Sequence, residues 1–259
     1  MEASFDWEWF IKKFELISKI DLTAYKRPQM ERRINSFMRT ANVADYRQFI
    51  EALQNDRVVY RKFLEHITIN VSEFFRNASH WDTLAKEIIP MLQRGRNGLK
   101  VWSAGCSTGE EAYSLAMLAR DNHFPLCERI LATDIDNEVL ERAGAGLYAS
   151  KALQSMSAHY LNRYFGREDE YYRISDEVKK MVRFEHHDLL RDPFGRGFDL
   201  ILCRNVVIYF TEETKQRLYR RFAEALRSGG ILFIGSTEQI FQSRELGLQS
   251  VATFFYQKV

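Results

Sequence analysis

Phe10, Phe14 and Ile17 recur at helical spacing near the start of the chain, and Met30, Ile34, Phe37 and Met38 repeat that spacing in the next segment. A further helix is expected from 42-NVADYRQFIEAL-53, with Asn42 as its N-cap. No strand pattern interrupts the chain up to about Arg76. From residue 99 short apolar runs alternate with helical patterns. LKVWSA, ERILATD, FDLILC and GGILFIGS read as strands. TGEEAYSLAMLAR, NEVLERAGAG and TEETKQRLYRRFAEALRSG read as helices, the last ending at Gly229 and Gly230. This alternation implies a parallel sheet with helices on both faces. The closing 245-ELGLQSVATFFYQKV-259 reads as an antiparallel pair of strands. Residues 159–186 break the rhythm with alternating polar and aromatic positions around the charged turn GREDE. They are expected to form a small antiparallel excursion between the second and third parallel strands. A surface insertion and a partner-docking flap both fit that pattern.

Composition narrows the setting. The chain has 259 residues, 46% hydrophobic and 28% charged, as expected of a soluble protein with one large domain or a main domain and a smaller companion. A net charge of +2 gives no global attraction to nucleic acid or to an anionic membrane. The amphipathic start MEASFDWEWFIKKFELI does not read as a secretory signal, and no apolar run is long enough to span a bilayer. Cys106, Cys127 and Cys203 are isolated, which points to a reducing, cytoplasmic setting and away from a disulfide framework or a zinc site.

The candidate chemistry sits in 102-WSAGCSTGEEAYSLAMLAR-120, where a strand enters a turn holding Gly105 and Gly109 and a helix follows. Ligands of open α/β sheets bind at the carboxyl ends of the strands. A nucleoside triphosphate wants a lysine after the second glycine, and Glu110 and Glu111 stand there instead. A dinucleotide wants GxGxxG, and the same two acids would repel its pyrophosphate. S-adenosylmethionine carries no phosphate but has a sulfonium, an α-ammonium and a ribose, so acids at the turn favour it. Asp134, at the end of the second strand, can accept hydrogen bonds from both ribose hydroxyls. NAD sites use an acid in the same way, so it is the lack of phosphate chemistry that discriminates. Helix N-terminal acids that only offset the macrodipole are the plain alternative for Glu110 and Glu111.

Four stretches carry a resemblance: 68-TINVSEFFRN-77, 102-WSAGCSTGEEAYS-114, 132-ATDIDNEVLERAGAGLY-148 and 198-FDLILCRNVVIYF-210. Through them the chain resembles the CheR family of chemotaxis receptor glutamate methyltransferases over nearly its whole length. The resemblance implies an α/β fold: a Rossmann-like S-adenosylmethionine-dependent methyltransferase sheet with closing antiparallel strands, a small inserted antiparallel β-subdomain, and an all-α N-terminal domain. The corresponding domains are residues 1–76, a linker helix 77–98, and a methyltransferase domain 99–259 with the insertion at about 159–186. Cofactor contacts are implied at Asn70, Ser72, Arg76, Gly105, Glu110, Glu111, Asp134, Asp188, Leu189, Arg204 and Asn205, and catalytic roles at Arg76 and Tyr209. Ala112 stands where a proline is common, and Ser72 replaces the commoner threonine while keeping the hydroxyl. Some relatives dock a receptor's C-terminal pentapeptide on the β-subdomain through a longer loop than GREDE.

The implied reaction is in-line transfer of a methyl group to a glutamate carboxylate of a bacterial chemoreceptor, for sensory adaptation. A glutamate with a pKa near ~4.3 is already ionised at neutral pH, so no general base is required. His186 and His187 are accordingly expected to be structural or surface residues. RNVVIYF lacks the prolines of the [DN]PPY run found in nucleobase amine methyltransferases, which argues against such acceptors. The basic run 26-KRPQMERRINSFMR-39 offers Arg32, Arg33 and Arg39 to an acidic receptor helix, the plain alternative being a solvated helix face. A monomer is expected, without metal. Two other functions fit the same turn: a methyltransferase with a different acceptor, and a non-catalytic cofactor sensor.

Overall fold

The computed structural model describes residues 6–68 and 72–259, which group into two compact units. Met1–Ile69 with Tyr209–Gln216 form the first, and Asn70–Ile208 with Arg217–Val259 form the second.

The first unit is built on four helices: α1 (Trp7–Ser18), α2 (Arg27–Thr40), α3 (Tyr46–Asn55) and α4 (Arg57–Thr68). Their apolar faces meet in an aromatic core. Phe10 stacks on Phe14 and Phe49 at centroid distances of 5.9 and 5.7 Å, and Phe63 meets Phe49 edge-on at 4.8 Å. Burying each such ring contributes about 1.5–3 kcal/mol. Met30, Ile34 and Met38 of α2 are buried as their spacing predicts, and Phe37 is half-buried against Phe49 and Phe63. Asn42 is not the cap of α3. It follows α2 in a left-handed conformation (φ 54°), and the Asp45 carboxylate instead accepts from Gln48 N–H at 2.8 Å. Residues 209–211 pair with 24–26: Lys26 N–H donates to the Tyr209 carbonyl and Thr211 N–H to the Ala24 carbonyl, both at 2.9 Å. A distant stretch of chain thereby joins the helical unit, which local periodicity does not reveal.

The second unit opens with a helical run, α5 (Ala78–Thr83), a π-turn (Leu84–Ile88) and α6 (Ile89–Gln93). Alternation follows: β1 (Val101–Ala104), α7 (Glu110–Asp121), β2 (Ile130–Asp134), α8 (Asn137–Ala145). A three-stranded antiparallel sheet comes next, from β3 (Leu147–Ala149), β4 (Phe165–Glu168) and β5 (Tyr171–Ile174), with α9 (Ala158–Tyr164) ahead of β4 and α10 (Asp176–Lys179) after β5. The chain then returns through β6 (Val182–His186), β7 (Phe198–Cys203), α11 (Glu212–Ala225), β8 (Leu226–Ile234), β9 (Leu248–Ala252) and β10 (Phe255–Lys258).

The main sheet runs β6-β2-β1-β7-β8-β10-β9, parallel from β6 to β8, with β10 antiparallel to both β8 and β9. The antiparallel close is as expected, but the excursion at 159–186 is displaced. The small sheet starts earlier, at β3, and β6 belongs to the main sheet, where Ala132 pairs with Phe184. VRFEH was misleading because it is a half-exposed edge strand, whose charges suit an edge and mask its pairing. Gly229 and Gly230 do not end α11. The helix stops at Ala225, and the glycines lie in a β8 irregularity where the register with β7 shifts. The strand order reverses at β1, between β2 and β7, which puts the switch point of the sheet at the carboxyl ends of β1 and β7.

Candidate active site

The turn after β1 is shaped by close approach. Gly105 has φ 80°, and a Cβ there would lie 2.5 Å from Val206 Cγ2, so only glycine lets the β1 and β7 ends come together. The next residues turn onto the N-terminus of α7. Ser107 N–H donates to Asp134 Oδ2 at 2.9 Å, and Asp136 N–H donates to Oδ1 at 3.1 Å. Together with the Ile135 N–H, these backbone donors fix the carboxylate at the end of β2, and its remaining lone pairs can serve a diol. Burial raises the Asp134 pKa, and the Ser107 and Asp136 N–H groups partly oppose the shift. The Ser107 hydroxyl is buried and makes no hydrogen bond to a described residue.

Glu110 and Glu111 are separately anchored. Thr108 Oγ1 donates to both Glu110 oxygens, at 2.9 and 2.7 Å, and the Ser72 hydroxyl bonds the same carboxylate. Glu111 Oε1 accepts from Ser103 Oγ at 2.8 Å, and Oε2 faces the Arg204 guanidinium at 3.4 Å. Burial raises the pKa of both acids, and for Glu111 Arg204 and Arg76 work against the rise. Arg204 in turn donates to the Arg76 carbonyl at 2.8 Å and to Asn77 Oδ1 at 3.2 Å, and lies 4.6 Å over the Phe233 ring.

Ser72, Arg76, Gly105, Glu110, Glu111, Asp134, Arg204 and Asn205 all lie in the second unit, and the bonds above link Ser72 to Glu110 and Glu111 to Arg204. The loop after β6 adjoins Asp134 directly, since His187 N–H donates to the Asp134 carbonyl at 2.9 Å. Asp188 in that loop is fixed by Leu190 N–H at 2.8 Å, and Leu189 is buried. Asn70 lies outside the described residues. Tyr209 groups with the first unit, where its carbonyl holds Lys26. His186 is exposed at the end of β6, and His187 packs edge-on to Trp102 at 5.6 Å.

Ser103, Asn77 and Glu238 were not singled out from the sequence. Ser103 and Glu111 stand eight apart, from strand to helix, a spacing with no periodic signature. Glu238, buried just beyond β8, carries one usable signal: it is an acid at the carboxyl end of a parallel strand.

These groups suit S-adenosylmethionine. The turn offers acids and an unpartnered hydroxyl, and Asp134 presents a preset acceptor pair for ribose. Comparison with known proteins decides the matter: residues 70–254 match the family model "CheR methyltransferase, SAM binding domain", and residues 6–68 match "CheR methyltransferase, all-alpha domain". The chain belongs to the CheR methyltransferase family.

Its relatives agree. A chemotaxis protein methyltransferase of Listeria monocytogenes is 43% identical over 254 residues, covering 98% of this chain and 97% of the relative. The namesake of Listeria innocua is 42% identical over the same shares. That of Escherichia coli is 35% identical, covering 85% of this chain and 79% of the relative. This CheR family member is therefore an S-adenosylmethionine-dependent methyltransferase, with an all-α unit and a methyltransferase sheet. Among its described residues no helix is long and apolar enough to cross a membrane.

Proposed function

We propose that this methyltransferase esterifies glutamate side chains of bacterial chemoreceptors, forming glutamate methyl esters for sensory adaptation. One observation carries the reading: near full-length similarity to proteins named chemotaxis protein methyltransferase. The three free cysteines suit the reducing cytoplasm, where we place the reaction.

S-adenosylmethionine, when bound, supplies a methyl group made electrophilic by its sulfonium. Asp134 would hold the ribose, Glu110 or Glu111 would meet the α-ammonium, and Asp188 and Leu189 would border the adenine. The acceptor carboxylate is ionised at neutral pH and needs no base: its oxygen would bond the methyl carbon as the carbon–sulfur bond breaks, leaving S-adenosylhomocysteine as the product. Arg76 orients it through directional hydrogen bonds, and its position near Glu111 and Arg204 supports this role. Arg76 must orient rather than clamp, because too tight an ion pair would quench the nucleophile. The Tyr209 hydroxyl donates one further bond. Alignment of carboxylate oxygen, methyl carbon and sulfur can supply up to ~7–11 kcal/mol in the best cases. Exposed Arg32 and Arg39 of α2, which flank an open pocket of about 360 Å³ with Asn35 and Met38, meet an acidic receptor helix.

The test uses cofactor labelled on the transferable methyl, a chemoreceptor cytoplasmic fragment, and alkali. Label on the fragment that leaves as volatile methanol is expected, because esters hydrolyse and N-methyl groups do not. Base-stable label would discard the glutamate acceptor and keep the methyltransferase.

A further inference from the structure

Glu238 has no part in the family contacts described above, yet it is 6% exposed and stands just past the carboxyl end of β8. Its Oε2 accepts from Gly235 N–H, and its carboxylate accepts from Asn205 N–H. Asn205 is left-handed, with φ 60°. Gly235 is packed against it: a Cβ would lie 2.7 Å from Asn205 N, 2.9 Å from Glu238 Oε2 and 3.0 Å from Asn205 Nδ2. One carboxylate thus bonds the ends of two neighbouring parallel strands. Glu238, like Glu111, also sits in the field of Arg204. Its Oε1 makes no hydrogen bond to a described residue, so the hold runs through the two N–H groups.

Burying a carboxylate is costly, and an apolar side chain would pack two strand ends at lower desolvation cost. What an apolar side chain would not do is fix the two N–H groups. Of the ends so fixed, that of β7 carries Arg204 and Asn205, at the switch point of the sheet. We propose that Glu238 is a positioning residue of the cofactor site, whose carboxylate sets the Arg204–Asn205 turn in its binding conformation. It touches no reacting atom and acts through that turn.

The experiment measures binding of S-adenosylhomocysteine to the full chain by calorimetry, independently of any acceptor, so it stands apart from the identity of the methylated protein. Glu238→Ala removes both bonds and is expected to weaken binding at least about tenfold, the scale of losing one or two charge-assisted hydrogen bonds. Glu238→Gln keeps an acceptor oxygen and is expected to stay within about threefold of the parent. Leu248→Ala, at the one buried position of β9, serves as a destabilised control away from the site and is expected to bind normally. If Glu238→Ala does not fold, Glu238→Asp, one methylene short of the two N–H groups, replaces it with the same expectation. Binding by Glu238→Ala within threefold of the parent, equal losses in the Ala and Gln variants, or an equal loss in Leu248→Ala would each overturn the proposal.

Discussion

Arg204 Nη1 lies 3.4 Å from Glu111 Oε2, with the two side chains only 2% and 14% exposed. Withdrawing both charges from water makes the pair a weak source of net stability but an expensive one to break. Glu111→Gln would leave Arg204 with Glu238, the Arg76 carbonyl and Asn77 Oδ1 as counterparts. The expected loss is about 1–3 kcal/mol, below the full cost of an orphaned buried charge. Denaturant unfolding checks it, and an unchanged midpoint would show that the pair is energetically idle.

Asp134 couples cofactor affinity to pH. Burial raises its folded pKa above the ordinary carboxylate range, despite its backbone donors. Ribose hydroxyls donate to the charged form, so the bound state holds fewer protons than the free one. Affinity for S-adenosylhomocysteine should therefore rise with pH through the raised Asp134 pKa and fall on its acid side. Glu110, Glu111 and Glu238 are shifted the same way and contribute to the limb. Asp134→Asn is expected to bind at least about tenfold more weakly and to flatten the pH dependence. Calorimetry across pH reads both, and a limb that persists unchanged in Asp134→Asn would assign it to the other acids.

The alternation of β1, α7, β2, α8, β7 and β8 was legible because short, mostly apolar and buried strand segments such as LILC of β7 and ILFI of β8 alternate with longer helical segments. β6 was assigned to the antiparallel excursion and not to the main sheet, because the alternating charges Arg183 and Glu185 of an edge strand do not reveal which sheet it joins. Gly105, Glu110, Glu111 and Asp134 were visible because glycine turns and strand-end acids are local signals. The pairing of 24–26 with 209–211, and the bonds from Glu238 to Asn205 and Gly235, are long-range or backbone-directed, and nothing in side-chain periodicity encodes them.

Asp121 ties the inserted segment to α7. Its Oδ1 accepts from the Tyr164 hydroxyl at 2.7 Å, while His159 and Arg163 lie at 2.6 and 3.1 Å. Burial alone would raise its pKa, but Tyr164, His159 and Arg163 outweigh it and hold the folded value below the ordinary one. A depressed carboxylate contributes stability above its unfolded pKa, near ~3.9, and loses it as pH falls through the folded value. Asp121→Asn should cost about 1–2 kcal/mol at neutral pH, with the gap closing in acid. It should also speed amide exchange in 158–164. Normal exchange there would mean that α9 is held by its apolar contacts instead.

Arg76, implied at both the cofactor and the acceptor, and Tyr209 are assigned to the acceptor step by where their loss falls. Residues that act on the acceptor carboxylate change turnover more than cofactor affinity. Arg76→Ala and Tyr209→Phe are each expected to lower kcat about tenfold or more while shifting S-adenosylhomocysteine affinity less than about threefold. Paired steady-state kinetics and calorimetry decide, and equal losses in both quantities would remove them from the catalytic step.

The three arginines expected on the receptor-facing side of α2 do not share one environment. Arg32 and Arg39 are exposed beside the open pocket. Arg33 instead turns inward: its guanidinium donates to the His66 carbonyl, His66 Nε2 lies 3.1 Å from the Arg33 carbonyl, and burial lowers its pKa. Arg27 is also engaged, with Glu8 at 3.2 Å and Glu31 at 3.1 Å. Charge reversal should therefore separate the positions. Arg32→Glu with Arg39→Glu is expected to leave the melting temperature within about 2 °C and to slow receptor methylation at least tenfold, with the deficit shrinking as salt screens the parent. Arg33→Glu is expected to lower the melting temperature by several degrees, because it places an acid against a carbonyl in a half-buried site. Thermal melts beside methylation assays at two ionic strengths read the difference. A stable Arg33→Glu protein, or normal methylation by the Arg32/Arg39 double variant, would refute this division of the helix.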